Sequence, residues 1–200
     1  IGNFRSGRMD VYDSSFEMQS GESLLIKSKY TEFDVEKLDM LEFQSSYEDE
    51  LNVGTLGDFK ADMKYTNVEI GTLSGRMMVK AYDAELDVDA FGSDFAGLML
   101  DGKYIKAEMN LPGSLAYQLQ ATMKYGDLEY DDSNFEPQVH IEKGDNLEIK
   151  AKVNGATDES PLISINGYDC QIELNWVNKD YCNCLAPLIE SNLSQNFVDF

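Results

Sequence analysis

The sequence offers few residues for a catalytic or metal centre. It contains one histidine and three cysteines among 200 residues. A hydrolytic triad requires a histidine oriented by a carboxylate, and His140 is the single candidate. His140 lies in an alternating, strand-like run, residues 137–141, which favours a surface histidine over a general base. We therefore expect no catalytic residue, no cofactor-binding residue, no metal ligand, no cofactor and no enzyme activity.

The three cysteines lie too close together in the sequence to stabilise the whole fold through disulfides. Cys170, Cys182 and Cys184 all lie in the last 31 residues, whereas a disulfide framework would spread cysteines along the chain. The spacing of Cys182 and Cys184 also lacks the two intervening residues of the usual zinc and redox motifs. The sequence leaves the role of these cysteines open.

Basic residues are scarce as well. The chain has 16 Lys and Arg against 37 Asp and Glu, and its formal net charge is -21. Such a surface repels phosphate backbones and anionic lipids, so nucleic acid is excluded as an expected partner. No apolar run approaches the roughly 18 residues of a membrane helix, and we expect no membrane insertion. Residues 83–89 and 131–134 are acidic enough to hold calcium, but neither fits a known calcium loop, and calcium binding stays open.

Tyrosines recur at regular intervals. The first five, from Tyr12 to Tyr82, are separated by 18, 17, 18 and 17 positions. The series continues with Tyr104, Tyr125 and Tyr168, and Gly144 is predicted to take the place of a missing member. Internal periods of this length are typical of stacked repeat architectures. We expect the tyrosines to stack at a corner with their hydroxyls in water.

An alternating apolar pair follows each of these positions. The residue between the two members is usually Glu or Asp, which is the period of a half-buried strand. The pairs are Phe16 and Met18, Phe33 and Val35, Leu51 and Val53, Val68 and Ile70, Leu86 and Val88, Ala107 and Met109, Leu128 and Tyr130, Leu147 and Ile149, and Ile172 and Leu174. We predict that these residues point inward and stack on their equivalents.

These patterns predict an all-β fold, a single-stranded β-solenoid with coils of about 17–24 residues. One unit cannot bury its own apolar face, but stacked units bury a continuous core. The turn residues Leu56 and Leu73 favour a coil, because an exposed hairpin tip would not carry a buried residue. A repetitive antiparallel meander remains the alternative.

The organisation predicted is a repeat domain over residues 1–175 and a non-repeat cap or tail over residues 176–200. The first residues already resemble a repeat, so the natural N-terminus is expected upstream. Open sheet edges at the ends of a solenoid invite pairing, so edge-to-edge self-association is expected as well.

Several units resemble bacterial putative adhesins, whose adhesin-like domains of unknown function form β-solenoids. The units that carry the resemblance are KYTNVEI at residues 64–70 and KYGDLEY at residues 124–130, with SKY at 28–30 and SINGYD at 164–169. The resemblance implies a periplasmic, cell-surface or secreted bacterial protein without catalytic residues. It implies a non-enzymatic scaffold or adhesion module whose partner is a surface protein or a glycan. A β-helical protein that binds or cleaves polysaccharides is the alternative.

Overall fold

The computed structural model describes residues 1–177 and shows an all-β protein. Eleven strands form one mixed sheet that does not close, and the described residues contain no helix. The strands are β1 (Asn3–Ser45), β2 (Glu50–Lys64), β3 (Asn67–Leu73), β4 (Arg76–Val88), β5 (Gly97–Pro112), β6 (Tyr117–Lys124), β7 (Asp127–Tyr130), β8 (Phe135–Lys143), β9 (Asn146–Val153), β10 (Leu162–Tyr168) and β11 (Gln171–Val177). The all-β prediction is therefore confirmed.

Alternation along the chain creates the core. Val68 and Ile70 are each 1% exposed, whereas Glu69 between them faces solvent. Val68 pairs with Leu86 of β4, and Ile70 pairs with Val88. The predicted inward ladder is confirmed at these four residues, since all of them are buried.

The strands from β1 to β5 pair in parallel with a nearly constant register. Phe33 pairs with Leu51, an offset of 18, and Leu51 pairs with Val68, an offset of 17. Between β4 and β5 the offset is 21, as between Leu86 and Ala107. Because the register shifts by about the same amount each time, residues of one kind stack above one another.

A second ladder of leucines crosses β1, β2 and the last residue of β3. Leu38 pairs with Leu56, Leu56 pairs with Leu73, and all three are 0% exposed. The neighbouring backbones approach closely here: a Cβ atom on Gly57 would lie 2.1 Å from the carbonyl oxygen of Asp39. Only glycine fits at that contact. Leu56 and Leu73 are therefore buried as predicted, but Leu56 lies within β2 and not in a turn between two strands.

The order of strands in space differs from their order in the chain. β10 lies between β5 and β6, and β11 lies between β5 and β7, all in parallel pairs. The predicted single-stranded solenoid would stack its coils in chain order, and this segment departs from that order. The inserted strands find matching apolar partners on both sides, since Ile172 pairs with both Ala107 and Leu128.

The region around Gly144 also differs from the prediction. Gly144 does not stand in for a tyrosine; it lies in the turn of an antiparallel hairpin formed by β8 and β9. Its φ angle of +58° suits the turn. β9 pairs antiparallel with β6, so Leu147 and Ile149 do not continue the parallel stack. The antiparallel alternative applies to this hairpin.

The two edges of the sheet have different character. At the β8 edge, Pro137 and an adjacent register shift interrupt the pattern, and both features discourage further pairing. At the opposite edge, Phe4, Met9, Val11 and Phe16 pack on the core but stay only partly buried. β11 extends through Val177, two residues beyond the predicted boundary. The rest of the predicted cap lies outside the described residues.

Candidate functional site

Eight tyrosine rings form one continuous column on the surface, here called the tyrosine column. Neighbouring ring centroids are 5.4 to 6.2 Å apart. In spatial order its members are Tyr12, Tyr30, Tyr47, Tyr65, Tyr82, Tyr104, Tyr168 and Tyr125. Every ring remains at least 36% exposed. Isolated exposed aromatics are ordinary, whereas contiguous exposed apolar surface is typical of interaction sites, so the column is a candidate binding surface.

The rings come alternately from two adjacent backbone positions. At the first, which we call the lysine position, lysine and tyrosine alternate from strand to strand. Lys64 pairs with Tyr82, Tyr82 with Lys103, Lys103 with Tyr168, and Tyr168 with Lys124. Where lysine occupies this position, the tyrosine is the next residue along the chain.

We call that next residue the acid position, because acidic residues and tyrosines alternate there. All eight of these residues have positive φ angles, between 42° and 58°. They are Asp13, Tyr30, Glu48, Tyr65, Asp83, Tyr104, Asp169 and Tyr125. The chain therefore turns its corner at the acid position in every strand that contributes to the column.

Placing tyrosine at this position costs conformational energy. A left-handed backbone disfavours residues with a Cβ atom by roughly 1–2 kcal/mol, and Asp tolerates it better than Tyr. Strands lie about 4.8 Å apart, which is closer than the observed ring spacing. Because neighbouring rings come from two different backbone positions, they can lie farther apart than the strands themselves. The four tyrosines with positive φ supply the rings at every second step, so the column has no gap.

Three of the four lysines of the column lie over its rings. The Nζ atom of Lys29 lies 5.4 Å from the centroid of Tyr47, and that of Lys103 lies 5.4 Å from the centroid of Tyr168. Lys124 lies 4.7 Å from its neighbour Tyr125. These are cation–π distances. Ammonium groups thus pack against the tyrosine rings within the protein itself.

Beneath the column, a buried carboxylate fixes one corner. Asp49 is 3% exposed and accepts hydrogen bonds from the Ser28 hydroxyl at 2.9 Å and the Thr31 backbone N–H at 2.7 Å. A second buried contact joins the hydroxyls of Ser45 and Thr66 at 2.6 Å. These bonds hold the corners of three neighbouring strand passes in place.

A polar groove of about 640 Å³ runs beside the acid position. One wall contains Glu48, Tyr65, Asp83, Tyr104 and Asp169. The other wall contains Glu50, Asn67, Glu85, Lys106 and Gln171, which also stack in register. Five exposed carboxylates and the buried Asp49 line this groove against one ammonium group, that of Lys106. The pKa of Tyr104 is raised by desolvation and by Tyr82, Tyr168 and Asp169.

A ladder of acidic residues lies outside the groove on the same outward face, two residues further along each strand than the second wall. Glu69 pairs with Asp87, Asp87 with Glu108, and Glu108 with Glu173. Burial, followed by repulsion from Glu108, raises the pKa of Asp87. No cluster of three or more potential metal ligands occurs among residues 1–177.

The other candidates from the sequence are not brought to the column. His140 lies on β8, where its Nε2 atom is 3.3 Å from Glu142, and its ring is exposed. Cys170 is buried, and burial raises the pKa of its thiol. Asp131 accepts a hydrogen bond from the Ser133 backbone N–H at 2.8 Å in an exposed loop. Cys182 and Cys184 lie outside the described residues.

All eight tyrosines predicted to stack do lie in one column, and they alternate between two backbone positions, a feature that the tyrosine spacing alone does not predict. It was readable in the sequence, because Tyr-acid and Lys-Tyr pairs alternate at residues 12–13, 29–30, 47–48, 64–65, 82–83 and 103–104. The groove was not predictable from that pattern alone, since its walls require the register.

No protein-family model, curated protein or solved structure matches this chain. The resemblance to bacterial adhesins therefore rests on the sequence units alone. Within residues 1–177 there is no helix long and apolar enough to cross a membrane.

Proposed function

We propose that this protein is a non-enzymatic β-solenoid module of the bacterial cell envelope, serving as a scaffold or in adhesion. The single observation that carries the proposal is the tyrosine column. The strands hold eight exposed rings in one line, at 5.4 to 6.2 Å from ring to ring. A rigid linear surface of this kind suits binding to an extended partner.

The register of the parallel strands supports the solenoid form. Offsets of 17 and 18 residues between β1, β2, β3 and β4 match the spacing of the first five tyrosines. Each corner at the acid position turns the chain toward the next strand. A solenoid predicts an elongated particle, and small-angle scattering from residues 1–177 tests this. A scattering curve of a sphere would contradict it.

The placement in the cell envelope rests on the units at residues 64–70 and 124–130, which resemble those of bacterial adhesins. Fractionation of the native host tests it, with the protein expected in the periplasmic, surface or secreted fraction. Recovery in the cytoplasm would contradict this part of the proposal.

Binding is tested with immobilised protein and isolated cell-envelope or host-cell surfaces. The Tyr65→Ala/Tyr104→Ala variant removes two exposed rings and is expected to lose most of the binding. Met78→Ala/Met99→Ala is the matched control, because both methionines are exposed at 40% and 54% on another part of the sheet. Equal binding by both variants would argue against the column as the functional surface.

A polysaccharide-binding protein is the second candidate, and the exposed rings favour it. From Tyr65 to Tyr125 neighbouring rings are 79° to 86° apart in orientation, so they meet edge to face. Such a series leaves faces of alternate rings free to contact sugar rings. A glycan array tests this candidate, and polysaccharide turnover lost in His140→Ala would point to the enzymatic alternative.

A further inference from the structure

The tyrosine column and its groove differ in charge, and the difference indicates a partner. The lysine position supplies the positive charges of Lys29, Lys64, Lys103 and Lys124, whereas Glu48, Asp83 and Asp169 of the acid position also line the groove. The groove on the acid side has five exposed carboxylates and one ammonium group. The rings at this edge, Tyr65 and Tyr104, line the groove together with the acids.

We propose that the groove beside the tyrosine column docks an extended Lys/Arg-rich segment of a partner protein. The inference rests on the proposed binding function and names its partner. Charge complementarity favours a cationic partner, and the chain's net charge of -21 would attract one from a distance. The exposed rings supply a second attraction, since guanidinium and ammonium groups pack on aromatic faces.

The protein already contains this interaction in intramolecular form. Lys29 packs 5.4 Å from the Tyr47 centroid, and Lys103 packs 5.4 Å from the Tyr168 centroid, both at the lysine position. At the acid position the rings alternate with carboxylates instead. A partner's basic side chain placed there would meet a ring and a carboxylate together.

The spacing of the acids specifies the conformation of the segment. Glu48, Asp83 and Asp169 occupy every second level of the column. Neighbouring members are therefore two strand spacings, about 9.6 Å, apart along the column. A polyproline II helix advances roughly 9.3 Å in three residues. A segment in that conformation with a basic residue at every third position would therefore match the three acids. Side chains on one face of a β-strand recur at about 6.8 Å and would not.

The test uses synthetic peptides of about nine residues and fluorescence anisotropy. One peptide has Arg at every third position between Pro and Ser, and a second has the same composition with its Arg residues adjacent. The first is expected to bind the protein at least about tenfold more tightly, and added salt is expected to weaken it because the attraction is largely ionic. Equal affinity for both peptides would overturn the spacing argument and with it the proposal.

A matched pair of variants locates the site. Glu48→Gln/Asp83→Asn/Asp169→Asn neutralises the acid position, and Asn tolerates the left-handed backbone. Glu69→Gln/Glu108→Gln/Glu173→Gln makes the same charge change on the other acidic ladder. The first variant is expected to bind the spaced-Arg peptide about tenfold or more weakly, and the second less than about twofold more weakly. Charges that contact the peptide affect its affinity more than charges outside the groove. Equal losses would show general electrostatic attraction and overturn the proposal.

Other occupants give distinct results. Binding of an amine-bearing polysaccharide without binding of either peptide would overturn the proposal, and so would a dimer of this chain that the acid-position variant abolishes. The proposed function is judged separately, by binding to cell surfaces. If the wild-type protein binds cell surfaces through Tyr65 and Tyr104 but binds no basic peptide, the function stands and this inference fails.

Discussion

Lys103 and Tyr168 lie 65 positions apart in the sequence, yet they pair in adjacent strands with the ammonium 5.4 Å from the ring centroid. The contact exists because β10 inserts between β5 and β6. The insertion places a Tyr-Asp pair between two Lys-Tyr pairs, at residues 103–104 and 124–125. Alternation along the column is thus preserved in space although the chain order is broken.

Removing the inserted ring should destabilise the protein. Tyr168→Ala removes the contacts with Tyr104 and Tyr125 and with the Lys103 ammonium. Aromatic pairs contribute about 0.5–1.5 kcal/mol each, so we expect a loss of about 1–3 kcal/mol at this partly exposed site. Urea unfolding measures it. Tyr168→Phe keeps the ring and should lose much less, and equal losses would show that the hydroxyl is the important group.

The inward ladder predicts a larger effect. Val68→Asp places an unpaired charge at a site that is 1% exposed, and it should reduce the free energy of unfolding by several kcal/mol. Glu69→Lys, on the solvent face of the same strand, should change it by no more than about 0.5 kcal/mol. Chemical denaturation compares the two variants. A tolerated Val68→Asp would mean that the register of β3 is incorrect.

The buried corner is tested at Asp49. Asp49→Ala leaves the Thr31 N–H and the Ser28 hydroxyl without their acceptor, which should cost about 1–3 kcal/mol of stability. Asp49→Asn retains one acceptor oxygen and should lose less. Thermal unfolding followed by circular dichroism measures both, and unchanged stability of Asp49→Ala would show that the corner does not depend on this carboxylate.

Stability should also depend on Asp87. Its pKa is raised above 3.8 in the folded protein, so the folded state binds a proton more readily than the unfolded state. Stability should therefore rise as the pH is lowered from neutral through the raised pKa, until the unfolded carboxyl is protonated as well. Asp131 and Asp158 have lowered pKa values and act in the opposite direction, with stability lost as the pH falls through the unfolded value of 3.8 toward each lowered pKa.

Comparison with Asp87→Asn isolates this contribution. The variant should be more stable than the wild type at pH 7 and should gain less on acidification to pH 4. The side-chain pKa itself can be followed by NMR. A smaller gain in the wild type than in the variant would contradict the assigned direction.

The parts of the fold that could be predicted from sequence depend on local periodicity. Val68, Glu69 and Ile70 show which side chains face inward, because alternation is a property of each strand alone. The order of strands in the sheet does not follow from such local patterns. Ile172 pairs with both Ala107 and Leu128, and all three have the same alternating pattern, so the sequence does not reveal where β10 and β11 insert. Gly144-Asp145 is a two-residue sequence typical of a hairpin turn and therefore indicates the β8–β9 hairpin. The tyrosine spacing instead favoured a missing repeat member at Gly144.

The candidate site was likewise predictable only where it depends on local sequence patterns. The stacking of the tyrosines was predictable from their spacing, and a lysine directly precedes four of the eight. The positive φ of Tyr65 and Tyr104 was not predictable, because tyrosine has no preference for the left-handed region. The groove depends on residues from distant strands, such as Asp83 and Asp169, and requires the three-dimensional register.

The order of rings in the tyrosine column is the central claim, and ring-to-ring nuclear Overhauser effects in tyrosine-labelled protein test it most directly. Tyr168 should show cross-peaks with both Tyr104 and Tyr125, whose centroids lie 6.2 and 5.4 Å away. Tyr104 and Tyr125 should show none with each other, because the Tyr168 strand separates them. A direct cross-peak between Tyr104 and Tyr125, with Tyr168 connected to neither, would contradict the account.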